Sequence, residues 1–254
     1  MKDLPTHQGF RYAFDIISPN RSNFKLNLKL ILECLVVLLL SIGLANPKIG
    51  TELKSINREG VDIVFAIDVS KSMLAEDVAP NRLLRSKRII SEIINSLSTD
   101  RVGIVAYASQ AIPQVPLTTD FASVKNFLQV IDTDMLSSQG TSIDSALNLS
   151  ANFFDQNSET NRVLILLSDG EDHDNEAIKI ATKASELGLM INTVGVGSKS
   201  GSLIPVIDKN NQKTYKRNKK GNLITSILND SNLKEIANAG KGSYFWFSNS
   251  SDSY

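Results

Sequence analysis

The chain has 254 residues, of which 42% are hydrophobic and 21% charged, so it can bury one large core and carry a smaller appendage. Its 27 Lys and Arg residues balance its 27 Asp and Glu residues, and this zero net charge argues against a nucleic-acid binder that relies on bulk electrostatics. The single cysteine, Cys34, excludes an internal disulfide framework, and two histidines, His7 and His173, exclude a His-rich metal site.

The first 60 residues contain one apolar segment between two polar ones. Residues 1–25 are polar with a mild basic bias, and residues 26–45 form an apolar run in which Lys29 and Glu33 are the only charged residues. At 1.5 Å per residue, this run is about long enough to cross a hydrocarbon core as a helix. Lys29 and Glu33 lie one helical turn apart and are predicted to pair. Residues 46–60 are typical of a polar linker.

Two other interpretations of residues 26–45 remain open. One is a buried core helix, although apolar residues on all sides argue against a half-exposed helix. The other is a signal peptide, because Gly43-Leu44-Ala45 resembles a small-x-small cleavage site, although the region before the run is long for a signal. We favour an uncleaved, single-pass membrane anchor. A slight excess of basic residues before the span favours a cytoplasmic N-terminus and a periplasmic domain.

After residue 60, apolar runs alternate with amphipathic segments. Strands are predicted at 63–67, 101–108, 111–117, 162–168, 190–196 and 243–247, and helices at 81–97, 121–131, 141–154, 175–187 and 232–239. Pro113 and Pro116 place the third strand at a sheet edge. Pro80 is predicted at a first helical position and Ser231 as a helix cap.

This alternation indicates an α/β domain over residues 61–250. Its sheet is predicted to be doubly wound, mostly parallel and Rossmann-like, flanked by helices and preceded by the one transmembrane helix. Residues 198–225 break the alternation and predict a hairpin insertion near 203–225, turning at Asn210-Asn211, whose basic run is typical of a solvated tip.

Five oxygen-bearing side chains follow predicted elements of this sheet. They are Asp68, Ser70 and Ser72 after the first strand, Thr141 in the loop Gln139-Gly140-Thr141-Ser142, and Asp169 after the strand 162–168. Ligands of open α/β sheets bind beyond the carboxyl ends of the strands. Carboxylate and hydroxyl oxygens suit a hard cation such as Mg²⁺, with Mn²⁺ or Ca²⁺ as alternatives. The simpler interpretation is a set of turns with Asp and Ser caps.

Two weaker patterns accompany this one. The acidic loop 169–174 could hold a second ion with His173, but it lacks the EF-hand arrangement, and we favour a solvated rim of carboxylates. Gly195, Gly197 and Gly201 follow a strand and hint at nucleotide binding, but their spacing is not G-x-G-x-x-G.

The order D-x-S-x-S…T…D resembles the metal-ion-dependent adhesion site (MIDAS) of von Willebrand factor type A (VWA) domains. The runs AIDVSKSMLAEDVAPNRLLRSK, RVGIVAYA, PLTTDFASVKNFL, QGTSIDSAL and SDGEDH are similar to the Bat family of bacterial aerotolerance proteins, and the BatB type fits best. The similarity covers about residues 26–247. Bat members commonly carry one more apolar segment before this span and another after the A domain, so the complete topology stays open.

The resemblance implies a function as well as a fold. It implies a membrane-anchored module that binds Mg²⁺ through Asp68, Ser70, Ser72, Thr141 and Asp169, and that takes an Asp or Glu carboxylate from a partner protein. The Bat family further implies other Bat proteins and a MoxR-type AAA+ ATPase as partners, in stress tolerance or membrane-complex assembly. We therefore expect a binding protein and not an enzyme. Two alternatives stay open, a metal-dependent hydrolase that uses Asp68 and a structural VWA domain without metal.

Overall fold

The computed structural model describes residues 22–45, 60–136, 138, 140–155, 160–171, 176–208 and 211–247. They fall into two units, the helix α1 (Asn23–Ala45) and the domain whose description starts at Gly60. Several predictions lie outside the described residues: the segment 1–21, the linker 46–59, Gln139, His173 and Asn210.

Helix α1 is a candidate membrane span by length and composition. It begins three residues before the predicted run, and the Ser22 carbonyl accepts its first backbone hydrogen bonds. The stretch Phe24–Leu44 has 21 residues and a mean hydropathy of 2.1. This corresponds to about 32 Å of helix against a hydrocarbon core of about 30 Å. Lys29 Nζ lies 3.8 Å from Glu33 Oε1, which confirms the predicted pair.

A six-stranded sheet forms the centre of the domain. Its strands are β1 (Asp62–Asp68), β2 (Arg101–Tyr107), β3 (Ala111–Thr118), β4 (Arg162–Ser168), β5 (Leu189–Val196) and β10 (Lys241–Phe247). The order across the sheet is β10-β5-β4-β1-β2-β3, and all neighbours are parallel except β3, which runs antiparallel to β2 at one edge. The strand order reverses between β1 and β4, so the predicted doubly wound, mostly parallel sheet is confirmed, with its switch point there.

Helices cover both faces of the sheet. On one face lie α2 (Arg82–Ser96) and α3 (Phe121–Val130), and on the other lie α4 (Ile143–Ala151), α5 (Glu176–Glu186) and α6 (Asp230–Ala239). Successive side chains of β1 alternate between the two cores: Phe65 and Ile67 pack with the first group, Val64 and Ala66 with the second. All seven β1 residues are buried, and the five between Asp62 and Asp68 form a continuous apolar run, as expected for a strand covered on both faces.

Two helix starts differ from the sequence prediction. Asn81 caps α2 by accepting a backbone N–H of the first turn at 2.8 Å, so Pro80 precedes the cap instead of opening the helix. Asn229, not Ser231, caps α6. Its backbone N–H donates to the Asp169 carbonyl oxygen at 2.8 Å, and this tertiary contact sets where the helix begins.

The chain between β5 and α6, which we call the insertion (residues 198–229), contains two small antiparallel pairs. The pair of β7 (Pro205–Ile207) with β8 (Lys213–Tyr215) is the predicted hairpin. The pair of β6 (Ser202–Leu203) with β9 (Thr225–Ser226) closes the insertion at its base. This second pair was not predicted because strands of two residues carry no periodicity.

Candidate metal centre

The site begins where β1 and β4 end side by side at the switch point of the sheet. Asp68 is the last residue of β1, and Ser168 is the last residue of β4. Ser168 Oγ donates to Asp68 Oδ2 at 2.8 Å and accepts the Gly170 N–H at 2.9 Å. The Ser70 N–H donates to Asp68 Oδ1 at 2.8 Å. Asp68 is fully buried, and both of its carboxylate oxygens are oriented by protein donors.

Ser70 and Ser72 place two hydroxyls beside this carboxylate. Their Oγ atoms lie 2.9 Å apart, and the two residues are 4% and 7% exposed. A 3₁₀ turn over Lys71–Leu74 brings them together. The ammonium of Lys71, which stands between them in sequence, is bound by Thr133 and Asp134. The alternate spacing D-x-S-x-S therefore produces one cluster of oxygens.

Asp169 completes the second side of the cluster and is held there by Arg82. Arg82 Nη1 donates to Asp169 Oδ2 at 2.9 Å, and Ser226 Oγ donates to the same oxygen at 3.2 Å. Asp169 Oδ1 accepts the Glu171 N–H at 3.3 Å. Neither Arg82 nor Asp169 is exposed. Sequence reasoning missed Arg82, because an arginine in the first turn of an amphipathic helix is usually solvated.

Arg82 also binds a third carboxylate. Its Nε and Nη2 donate to Asp77 Oδ1 and Oδ2 at 2.9 and 2.7 Å, which is the bidentate geometry that a guanidinium favours. Burial alone would raise the pKa of Asp77, but the hydrogen bonds from Arg82 and Ser198 hold that pKa below its usual value. Asp77, Asp169 and one guanidinium therefore carry a net charge of −1, and ionised Asp68 brings the group to −2.

Thr141 lies at the same edge of the sheet, and its link to the other residues runs through the backbone. The N–H of Ser142 donates to the Ala108 carbonyl at 2.7 Å, directly after β2. Tyr107, the last residue of β2, is in register with Asp68, and its carbonyl accepts the Val69 N–H at 2.8 Å. Thr141 thus precedes α4 beside the loop that follows β1, and its side chain is half-buried.

The acidic loop after Asp169 is described only as far as Glu171. Glu171 Oε1 accepts the Ile227 N–H at 2.9 Å, so this carboxylate binds the insertion and is more than a solvated rim. Asp172, His173 and Asp174 lie outside the described residues, and the predicted second ion stays a prediction.

Burial and charge make Asp68 an unusual carboxyl group. Its pKa is raised from 3.8 to about 7, chiefly by desolvation and further by the nearby charge of Asp169. The hydrogen bonds from Ser70 and Ser168 oppose it. Two carboxylates that repel each other at a buried edge are stabilised by any cation placed between them.

The side chains fit a small divalent ion. The Ser70 and Ser72 hydroxyls hydrogen-bond to each other at 2.9 Å, and this spacing is compatible with adjacent oxygens of an octahedral Mg²⁺ site, which are about 3.0 Å apart when the bonds are about 2.1 Å. The described residues contain no cluster of three His, Cys, Asp or Glu side chains, so an ion here needs the hydroxyls as ligands.

Comparison with known proteins gives the same fold. The crystal structure of the conserved hypothetical protein BatB from Bacteroides thetaiotaomicron is 40% identical, with a TM-score of 0.71, over 75% of this chain and 92% of that one. An aerotolerance-related membrane protein from Bacteroides fragilis is 37% identical, with a TM-score of 0.71 and the same coverage of both chains.

A curated relative from Borreliella burgdorferi, an uncharacterized protein, is 30% identical over 170 residues. This match covers 65% of the chain and 49% of the relative, so the chain spans about half of that protein's length. The family model of the von Willebrand factor type A domain matches residues 62–252, which include the whole sheet and the site at its switch point. The chain therefore belongs to the von Willebrand factor type A domain family and is similar to BatB.

Proposed function

We propose that this protein is a membrane-anchored interaction module that binds Mg²⁺ at the edge of its sheet and recognises an acidic side chain of a partner protein. The observation that carries the proposal is the cluster at the switch point. Two buried aspartates, Asp68 and Asp169, lie close enough for the charge of Asp169 to raise the pKa of Asp68, and two mutually hydrogen-bonded hydroxyls, those of Ser70 and Ser72, lie beside Asp68. VWA domains often bind a metal at this position.

The roles of the residues follow from their existing hydrogen bonds. Ser70, Ser72 and Thr141 would supply neutral oxygens directly to the ion. Asp68 and Asp169 already accept protein hydrogen bonds on both oxygens and would act through remaining lone pairs, directly or through water. A divalent ion in such surroundings supplies an uncompensated positive charge that attracts a carboxylate. Arg82 strengthens this effect, because it already neutralises part of the charge of Asp169.

A binding experiment with matched variants tests the metal site. In the detergent-solubilised chain, Asp68→Ala, Ser70→Ala and Ser72→Ala should each abolish or greatly weaken Mg²⁺ binding by isothermal titration. Ser168→Ala should weaken it about 10- to 100-fold, as expected for a residue that orients a ligand. Ser96→Ala is the control, since Ser96 ends α2 about 21 Å from Arg82 and its hydroxyl only bonds the Ile93 carbonyl. Unchanged Mg²⁺ affinity in the serine variants would exclude this site.

The partner and the membrane location extend the proposal. Resemblance to the Bat family supports other Bat proteins and a MoxR-type AAA+ ATPase as the assembly, in the inner membrane, with the domain on the periplasmic side. The partner should co-purify with the membrane-extracted protein in Mg²⁺ and be lost in a chelator. The Asp68→Ala variant should lose the partner even in Mg²⁺. A reporter fused after the domain, active only in the periplasm, tests the orientation.

The same variants separate an interaction module from a metal-dependent hydrolase. A screen of phosphoester and nucleotide substrates is expected to show no turnover that Asp68→Ala removes. Turnover that this substitution removes would favour the hydrolase, and the absence of any Mg²⁺- or Mn²⁺-dependent thermal shift would favour a structural domain without metal.

A further inference from the structure

Both ends of the insertion hydrogen-bond to residues of the candidate metal centre. At its start, the Ser198 N–H donates to Asp77 Oδ2 at 2.7 Å. At its end, Ser226 contacts both Asp169 and Arg82, and Asn229 donates its N–H to the Asp169 carbonyl. The ends are also joined to each other, because the Leu228 N–H donates to the Ser198 carbonyl at 3.2 Å.

Arg82 is the common partner of these contacts. Its Nη1 donates to Asp169 Oδ2 and, at 2.6 Å, to Ser226 Oγ, while its Nη2 donates to the Ser226 carbonyl at 3.2 Å. Its remaining donors bind Asp77. One buried guanidinium therefore joins the loop after β1, the aspartate after β4 and the base of the insertion.

Gly197 provides the space for this guanidinium. It has a φ of +142°, and a Cβ added there would lie 2.8 Å from Arg82 Nε and 2.9 Å from its Cζ. The chain that leaves β5 for the insertion thus passes directly over the arginine. Any opening of the insertion that moves residues 197–198 or 226 must break bonds of Arg82, Asp77 or Asp169.

We propose that Arg82 is a positioning residue that couples the metal centre to the insertion, so that ion binding at Asp169 and closure of residues 198–229 favour each other. This inference rests on the proposed Mg²⁺ site. An open insertion would deprive Asp169 of its Ser226 contact and loosen Arg82, and the carboxylate that would help to hold the ion would lose its fixed orientation. Coupling between two sites is reciprocal, so the ion must in turn oppose opening of the insertion.

Hydrogen exchange of the full chain in detergent tests the coupling. In the wild type, saturating Mg²⁺ should slow exchange of the amides in residues 202–228 about fivefold or more relative to chelator, the lower range of measured coupling between sites. Ser226→Ala and Gly197→Ala should lose most of this protection and should weaken Mg²⁺ binding in titration. Arg82→Lys should do the same, because an ammonium cannot span two carboxylates and Ser226.

Two controls isolate the linkage from general destabilisation. Thr225→Ala changes an exposed residue of the same strand, β9, and should retain the protection. Arg101→Lys weakens another ion pair of an arginine, the one between Arg101 and the buried Asp62. Asp62 lies at the opposite end of β1, about 20 Å from Asp68. This variant should therefore lower stability without changing the Mg²⁺ response.

The outcomes distinguish the coupling from the metal site itself. If Mg²⁺ binds but the insertion amides exchange equally with and without it, the coupling is wrong and the proposed function stands. The coupling is equally wrong if Ser226→Ala and Gly197→Ala keep both the protection and the affinity of the wild type, whether or not Arg82→Lys folds. If the wild type binds no Mg²⁺, the proposed function and this inference both fail.

Discussion

The raised pKa of Asp68 leads to a stability change that one substitution isolates. Its pKa is about 7 in the folded chain and 3.8 as an ordinary aspartate, so the folded state holds a proton that the unfolded state has lost between these values. The contribution of Asp68 to the free energy of unfolding is therefore fully present below about pH 4 and is lost as the pH rises through 7. The difference between about 7 and 3.8, at 1.36 kcal/mol per pH unit, corresponds to about 4 kcal/mol, and more than half of it falls between pH 5 and pH 8.

The substitution Asp68→Asn removes the titration and keeps the shape of the side chain. We expect the wild type, in chelator, to lose about 2 to 3 kcal/mol more of its unfolding free energy between pH 5 and pH 8 than this variant does. Saturating Mg²⁺ at pH 8 should restore the unfolding free energy of the wild type and leave that of the variant unchanged.

Urea unfolding followed by fluorescence measures this difference. Trp246 is the only tryptophan, it is 48% exposed in β10, and its Nε1 donates to the Gly197 carbonyl at 3.0 Å, so its emission should change on unfolding. Titrating groups that do not interact with Asp68 are common to both chains and cancel in the comparison. Equal losses of stability in the two chains between pH 5 and pH 8 would refute the assignment of the raised pKa to Asp68.

Three further substitutions test the fold around the site. Phe65→Ala, at a fully buried position of β1, should cost about 3–5 kcal/mol in urea unfolding, and a cost below about 1 kcal/mol would contradict its place in the core. Asn81→Ala should cost about 0.5–2 kcal/mol by removing the cap of α2, and Asn81→Ser should recover most of it. Gly170→Ala should lower both Tm and Mg²⁺ affinity, because φ is +74° and the added Cβ would lie 2.3 Å from the Asn229 carbonyl oxygen. Gly221→Ala is its control, with φ +82° and no atom within 4 Å, and an equal loss in both variants would show that backbone strain alone is responsible.

Strong local patterns were enough to predict the sheet. The residues of β4 match the predicted range 162–168 because the apolar run of this central strand is bounded by polar Arg162 and Ser168. The edge position of β3 followed from Pro113 and Pro116, which cannot donate to a ladder. In both cases the signal lies within the strand itself.

Features that depend on distant residues were not predictable in the same way. The start of α6 moved to Asn229 because of a backbone bond to Asp169, 60 positions earlier in the chain. Arg82 is buried because two carboxylates and Ser226 converge on it from separate elements, and nothing in the sequence NRLLRSK marks that burial. Ser168 was visible only as the residue before Asp169. The sequence thus predicted the oxygens proposed for the site but not Arg82 and Ser168, which hold Asp169 and Asp68 in place.

The two margins of the central sheet differ in how readily a second molecule could add a strand. On β3, Pro113 and Pro116 interrupt the outward row of amide donors, which discourages fibril-like stacking. On β10, the outer row contains no proline, and Phe245 and Trp246 are 51% and 48% exposed beside it. Self-association of concentrated samples should therefore begin at β10, and a lysine in place of Phe245 is the change most suited to improving solubility.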